Sequence, residues 1–340
     1  MTTRKYEHLV KPLSVASLNM NMDEAPPTMK KFRGPGNADV LVWLNGRDHL
    51  EGLKLNFSWG FYTGLGDWHP GMDPHVHPYP ECLVFVGLDP DNIDYLGAEM
   101  QYYLGKELEV YTFDKPTVIA VPAGFPHCPS ITKKVTSPKG YGFFIISLGA
   151  EPTTTWMGEG ITEADINAMK EMADKYGIRS PMKSSVSKKK IKVSAETMTH
   201  GNKHSRFIKP LKSPTMMPGP GNADSSVWMY GKDLEGLNVN FSWGYYSKAG
   251  SWDRGHGIHA HSADEVLVFV GLDPSNIDYL GAEIEIMMGK EHEKYVFDKP
   301  SVVIIPEGMP HNPIVTKRVD KPYAVFLIGL DAEHETSSVD

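Results

Sequence analysis

Cysteine is nearly absent from this chain: Cys82 and Cys128 are the only two among 340 residues. Two thiols cannot build a disulfide framework, so a reducing, cytoplasmic location is expected. Long apolar runs are absent too. Nothing approaches the 18 or so consecutive apolar residues of a membrane span. The start, Met1-Thr-Thr-Arg-Lys-Tyr-Glu-His8, lacks the apolar stretch of a signal peptide. Excess positive charge is also missing. Lys+Arg number 34 against 42 Asp+Glu, for a formal net charge of −8, which argues against a general nucleic-acid binder. A small molecule is the expected partner, with no nucleic acid and no membrane.

What the chain does have is a repeat. His75-Val-His77-Pro-Tyr-Pro-Glu81, followed by His127, recurs as His259-Ala-His261-Ser-Ala-Asp-Glu265, followed by His311, each residue displaced by 184 positions. Between Glu51 and His127, about 45 of 77 positions are identical to the second copy without a gap. A period of this kind fixes the architecture before any local reading does, and it marks a tandem duplication. Upstream, Pro35-Gly-Asn-Ala-Asp39 answers Pro220-Gly-Asn-Ala-Asp224, and Lys11-Pro-Leu13 answers Lys209-Pro-Leu211. The first copy carries a longer segment between these landmarks, Ser14 to Gly34, expected to be a surface arm. The implied domains are residues 1–150, a helix and basic linker over 151–202, and residues 203–340.

Within each copy the apolar segments are short and β-branched or aromatic, closed by some of the 32 glycines and 26 prolines. Leu83–Val86, Thr117–Val121, Phe143–Leu148, Val302–Ile305 and Ala324–Ile328 are examples. Regular short strands with turn signals predict an all-β sandwich or barrel. One good helix lies between the copies. Thr162 is placed to cap it, Asp165 to complete a capping box, and Ile161 with Ile166 to form a hydrophobic staple. Ile166, Met169, Met172 and Tyr176 then make one apolar face, and Gly177 stops the helix. Beyond it, Ser180 to Arg206 is rich in Ser, Lys and Thr and reads as a solvated linker.

A His-x-His pair on a strand puts both imidazoles on one face, because side chains alternate with period two. Glu81 lies four positions beyond His77 and shares that face if the strand continues. His127 follows the turn Pro122-Ala-Gly-Phe-Pro126, which could aim a fourth ligand from a neighbouring strand. His75, His77, Glu81 and His127, and again His259, His261, Glu265 and His311, are therefore candidate metal ligands. Three imidazoles and a carboxylate suit a divalent first-row metal: Fe, Mn, Ni, Co or Zn. Four protein ligands leave room for water or substrate at an octahedral ion, which permits Lewis-acid or O2 chemistry. Cys82 and Cys128 each follow a ligand directly, but Val266 and Asn312 replace them in the second copy, and they read as small core residues.

These residues resemble the cupin superfamily, specifically its bicupins. The first cupin motif is matched by Gly71, His75, His77, Glu81 and Gly87, and by Gly255, His259, His261, Glu265 and Gly271. The second is matched by Pro122, Gly124 and His127, and by Pro306, Gly308 and His311. The spacing from the first glycine is shorter than usual, and the asparagine that often ends the second motif is missing from both copies. The resemblance implies two tandem cupin barrels of double-stranded β-helix (jelly-roll) form, with a metal at one or both. Such proteins include oxalate decarboxylases, ring-cleaving dioxygenases and seed storage proteins. Oxalate decarboxylases carry an arginine three positions before the first ligand; here Met72 and His256 stand there, and no equivalent of their Ser-Glu-Asn-Ser lid is found. Two barrels in one chain already resemble a cupin dimer, and a homo-oligomer of the chain is left as an open expectation.

The copies differ most beside the His pairs. Copy one has Asp67, Trp68, His69, Met72, Asp73 and Tyr79; copy two has Ser251, Trp252, Asp253, Arg254, His256 and Asp264. Arg254 is suited to clamping a substrate carboxylate and His256 to acid–base work, which tilts the expectation toward copy two. Glu99 and Glu283 begin matched strands and would be general bases if they point inward. Repeated Trp59, Trp243, Tyr62 and Tyr246 read as core, while Asn56, Ser58, Asn240 and Ser242 could line the cavities. The expectation is an enzyme acting on a small oxygen-rich substrate, a carboxylate or hydroxylated ring, by dioxygenation or decarboxylation. A metal-dependent isomerase or hydratase and a non-catalytic ligand-binding or storage bicupin are the alternatives.

Overall fold

The structure is a computed structural model describing residues 4–16, 38–68, 74–175, 183–192, 202–212, 221–253 and 257–339. Its chain divides into two compact units. One comprises Ser17–Gly87 and Leu96–Pro210, the other Met1–Ala16, Leu88–Tyr95 and Leu211–Asp340. Each unit is a pair of β-sheets, as the short apolar segments predict.

In the first unit one sheet runs, edge to edge, Ile208–Pro210, Thr117–Val121, Glu81–Val86, Tyr141–Ser147, Asn56–Tyr62 and Val40–Asn45. The other runs Lys183–Val186, Thr153–Trp156, His75–Val76, His127–Val135, Ala98–Leu104 and Glu109–Phe113, with Gly66–Asp67 also on His127–Val135. Alternate residues of both sheets meet in one apolar core that includes Leu83, Phe85, Met100, Tyr102, Ile119 and Phe143. The second unit repeats the plan. Its sheets run Val10–Pro12, Ser301–Ile305, Glu265–Gly271, Tyr323–Gly329, Asn240–Tyr246, Ser225–Met229, and Glu293–Phe297, Ala282–Met288, His311–Val319, His259–His261, Thr336–Ser338.

The duplication extends to a buried polar relay. Trp68 stacks on Tyr62 (4.6 Å between ring centroids) and its indole N–H donates to the Thr132 hydroxyl (2.9 Å), which bonds the Tyr141 hydroxyl (2.7 Å). Trp252, Tyr246, Thr316 and Tyr323 repeat it at 4.5, 3.0 and 2.6 Å. A buried indole and phenol need such partners, since an unmade hydrogen bond inside a core costs about 1–3 kcal/mol. Trp59 and Trp243 are likewise buried among aromatics.

Two segments sit differently from the sequence expectation. The expected first domain begins at residue 1, yet Val10–Pro12 pairs antiparallel with Ser301–Ile305 and the first sixteen residues belong to the second unit. Conversely, Ile208–Pro210 pairs with Thr117–Val121 and belongs to the first. Lys11-Pro-Leu13 and Lys209-Pro-Leu211 thus play the same part, each as the edge strand of the barrel encoded by the other copy. The basic linker is also less free than its composition suggests. Lys183–Val186 runs parallel to Thr153–Trp156, Lys183 pairs with Glu151, and the Lys190 ammonium donates to the carbonyl oxygens of Gly158 (2.5 Å) and Ile161 (3.3 Å). Most of the expected arm, from Ser17 to Gly34, lies outside the described residues.

The helix spans Glu163–Lys175. Thr162 N–H donates to the Asp165 carboxylate (2.9 Å) and Asp165 N–H to the Thr162 hydroxyl (3.3 Å), a reciprocal capping box. Ile161 and Ile166 close the staple against Trp156 and Val186. Trp156 in turn packs on the His75 ring at 4.9 Å, so the helix start buttresses one wall of the first histidine cluster. No helix among the described residues is long and apolar enough to cross a membrane.

Candidate metal centres

Strand register brings the ligand-type residues together. His75 lies opposite His127 on one side and Trp156 on the other, in one sheet. The chain then turns through Pro78–Pro80, and Glu81 opens a strand of the opposite sheet. The carboxylate therefore reaches the cluster by crossing the barrel, not by continuing the histidine strand. Glu81 Oε1 lies 3.4 Å from His77 Nε2 and 3.1 Å from His127 Nε2, and the His75 ring is 4.4 Å from that of His127. In the second barrel Glu265 Oε2 lies 3.7 Å from His261 Nε2 and 3.6 Å from His311 Nε2, with the His259 and His311 rings 4.4 Å apart. All eight residues sit where the repeat places them, in two separate clusters.

The hydrogen bonding fixes what these imidazoles offer. Nδ1 of His77 donates to Thr153 O (2.7 Å), of His127 to Phe125 O (3.0 Å), of His259 to Gly257 O (3.2 Å), of His261 to Glu335 O (3.0 Å) and of His311 to Met309 O (3.1 Å). A carbonyl only accepts, so each Nδ1 carries the proton, and a ring with no second proton presents a lone pair at Nε2. At His77, His127, His261 and His311 that lone pair faces a carboxylate oxygen. Such a meeting is repulsive unless a proton or cation lies between. His127 Nε2 and Glu265 Oε1 are moreover buried without a hydrogen bond. The groups His77–Glu81–His127, His259–His261–His311 and His261–Glu265–His334 each place one atom per residue within 4.8 Å of one another, close enough to hold an ion. This donor set fits a divalent cation.

The two carboxylates differ electrostatically. Burial is the largest influence on each and favours the neutral form. Around Glu81 it is outweighed by His77, His127 and a hydrogen bond from the Ser147 hydroxyl (3.0 Å), which together bring the carboxyl down to about 2. Around Glu265 burial stands unopposed and raises it to about 8. Burial lowers the His77 and His261 imidazoles, and takes His311 down to about 3 with the help of His259 and His261. Deprotonated ligands are what a metal requires.

Above the first cluster is a cavity of about 60 Å³. Trp43, Leu83, Phe143, Ile145 and Trp156 supply its apolar walls, while the cluster, Ser130, Ser147 and Thr154 supply its polar atoms. Asn56 does not line it; its carboxamide accepts from the Trp43 indole (3.2 Å) and donates to Gly149 O (2.8 Å). Tyr79 stacks on His77 (5.5 Å, interplanar 4°), and its hydroxyl accepts from Thr153 N–H (2.7 Å).

Glu99 and Glu283 are not brought to either cluster. Ala98, Met100 and Tyr102 point into the core, so the alternation of the strand turns Glu99 to the outer face. Glu283 follows the same alternation between buried Ala282 and Ile284 and pairs with Lys317 (3.3 Å). The inward, catalytic orientation expected of them is corrected: residue-by-residue alternation from the core positions leaves them no other face. Arg254 and His256 lie outside the described residues, as do Gly71, Met72 and Gly255.

Sequence reasoning missed His334, whose Nε2 lies 3.9 Å from Glu265 Oε1 and whose ring is 4.4 Å from that of His261. It belongs to no repeated motif, which is why the pattern did not reveal it. Cys128, read from sequence as a small core residue, is buried and lies grouped with His75 and His127; burial pushes its thiol up to about 12, away from the ligating thiolate.

Taken together, paired jelly-roll barrels with a His-x-His…Glu…His cluster in each define the bicupin fold. The solved structures most similar in shape include oxalate decarboxylase of Bacillus subtilis. At pH 4.6 it is 11% identical, with a TM-score of 0.54 and coverage of 89% of this chain and 75% of that one. A structure of it used to assign its Mn(II) centres matches at 11% identity and a TM-score of 0.54, covering 89% and 76%. A deletion mutant of the same enzyme matches at 11% identity and 0.55, with the same coverage. At this identity the likeness is one of fold. No protein-family model matches the sequence, and no curated protein is significantly similar to it.

Proposed function

We propose that this bicupin is a metal-dependent enzyme that decarboxylates or dioxygenates a small carboxylate, with the reaction centre in the first barrel. The observation that carries this is the cavity of about 60 Å³ floored by His75, His77, Glu81 and His127. It has room for several water-sized groups, the scale of a small carboxylic acid. A divalent ion held by those four residues would supply Lewis-acid chemistry, or a site for O2, to a substrate oxygen. Mn is a candidate by analogy with the oxalate decarboxylase whose Mn(II) centres are on record; Fe, Ni, Co and Zn suit the same donors.

The chain's own residues do the rest. Thr153 and Phe125 carbonyls hold His77 and His127 in the tautomer that presents Nε2 inward. The Ser147 hydroxyl fixes Glu81 Oε2 and leaves Oε1 facing the imidazoles. Trp43, Phe143 and Trp156 wall the cavity with apolar surface, which strengthens the electrostatic contacts beside it. The test is to reconstitute the full chain with Mn(II) or Fe(II) and follow CO2 release and O2 uptake with two- to four-carbon mono- and dicarboxylates. Turnover lost in His77→Ala and kept in His261→Ala supports the assignment. Metal bound in both barrels with no acid consumed leaves a binding protein instead.

A further inference from the structure

The two clusters share four residues but not their surroundings, and three coupled differences converge on one side chain. Strand pairing sets Ser147 opposite Asn56 and Glu81, and Gly329 opposite Asn240 and Glu265. The Nδ1 of the second motif histidine is held by Thr153 O in one barrel and Glu335 O in the other. Both correspondences are offsets of 182, and they align His334 with Pro152. The ring packed on the motif histidine is Tyr79 in the first barrel; its counterpart in the second is Ala263, and there the packed ring is His334.

A local device delivers His334. A side chain at Gly329 would meet the Asn240 carboxamide, whose Nδ2 stands 2.5 Å from where a Cβ would be. With glycine there, that Nδ2 donates to both Asp331 O (2.9 Å) and Glu333 O (3.0 Å), holding the turn just before His334. Trp228 packs edge-on against the His334 ring at 4.8 Å. The same glycine takes away the hydroxyl that Ser147 gives Glu81. Glu265 Oε1 is left buried without a hydrogen bond, and His334 Nε2 faces it at 3.9 Å.

That separation is too long for a hydrogen bond. It falls within the roughly 4.2 Å that can separate two atoms each about 2.1 Å from one shared ion. We propose that His334 is a metal ligand of the second barrel, whose centre then draws on five side chains where the first draws on four. Granted metal binding in both barrels, on which this rests, an octahedral ion would keep two positions free in the first barrel and one in the second. A carboxylate chelating through two oxygens would then fit the first centre alone.

The test uses the full metal-free chain carrying His77→Ala, which closes the first site, with Mn(II) as the probe. Binding is titrated and the electron paramagnetic resonance spectrum recorded with His334 intact, with His334→Ala and with His334→Gln. One Mn(II) is expected with His334 present. Both substitutions should weaken binding about tenfold or more and change the zero-field splitting. Thermal melting of the metal-free proteins checks folding, and the glutamine variant decides where alanine fails to fold. Unchanged affinity and spectrum in a folded variant overturn the proposal and leave the metal site standing. No Mn(II) bound even with His334 intact overturns the second metal centre itself, and His334 with it.

Discussion

The first barrel and the second carry the same quartet of three histidines and a glutamate, and the two quartets are held by different means. Glu81 is fixed from behind by the Ser147 hydroxyl and stays charged. Glu265 has Gly329 behind it, a bare Oε1, and His334 in front. His75 packs against Trp156, while the second barrel has the exposed Ser338 at the matching register position. Duplication preserved what the fold needs, such as the Trp68 and Trp252 relays, and let the surroundings of the ligands diverge. Two copies of one motif are therefore two clusters with different surroundings.

The comparison can be broken most forcefully at the ligands. His77→Ala and His261→Ala should each remove one equivalent of bound metal, weakening that site about 100-fold or more, as elemental mass spectrometry of the purified variants would register. If either substitution emptied both barrels, the sites would not be independent. Packing gives the next largest effect. Trp156, 3% exposed between His75 and the Ile161–Ile166 staple, should cost about 3–5 kcal/mol when replaced by alanine. Ser338→Ala should cost less than about 0.5 kcal/mol, and chemical denaturation compares the two.

The carboxylates should respond oppositely to pH. Glu265 binds its proton more tightly in the fold, near 8 against about 4.3 in an unfolded chain. Metal-free protein should thus lose stability as pH rises from about 4 to about 8, and Glu265→Gln should flatten that loss. Glu81 is shifted down, so its contribution is present at neutral pH and disappears only in acid. Glu81→Gln should then lower the melting temperature at pH 7 while leaving the alkaline-side slope in place. Matching pH profiles for the two glutamine variants would show that the environments are alike after all. A smaller effect than at Trp156 is expected at Ser147→Ala, about 1 kcal/mol from one lost hydrogen bond to a buried carboxylate.

Much of this was legible in the sequence. A repeat with identical spacing located both barrels and all eight residues of the two clusters, because the His-x-His period and the turn before the last histidine of each are local properties. The capping box at Thr162 and the staple at Ile161 and Ile166 were legible for the same reason. Glu99 and Glu283 were not, since which face of a strand is inward depends on sheet pairing that a lone residue does not reveal. Nor was the exchange of Val10–Pro12 and Ile208–Pro210 between barrels, which local propensity leaves open. His334 stayed hidden because it stands outside every repeated segment, brought in by a glycine and an asparagine five and 94 positions away.

The most direct test of two inequivalent centres is to add Mn(II) stepwise to the metal-free full chain and follow the electron paramagnetic resonance spectrum to saturation. Two equivalents should bind, giving two spectra of different zero-field splitting, one abolished by His77→Ala and the other by His261→Ala. A single spectrum from two identical ions, or no bound manganese at all, would contradict it.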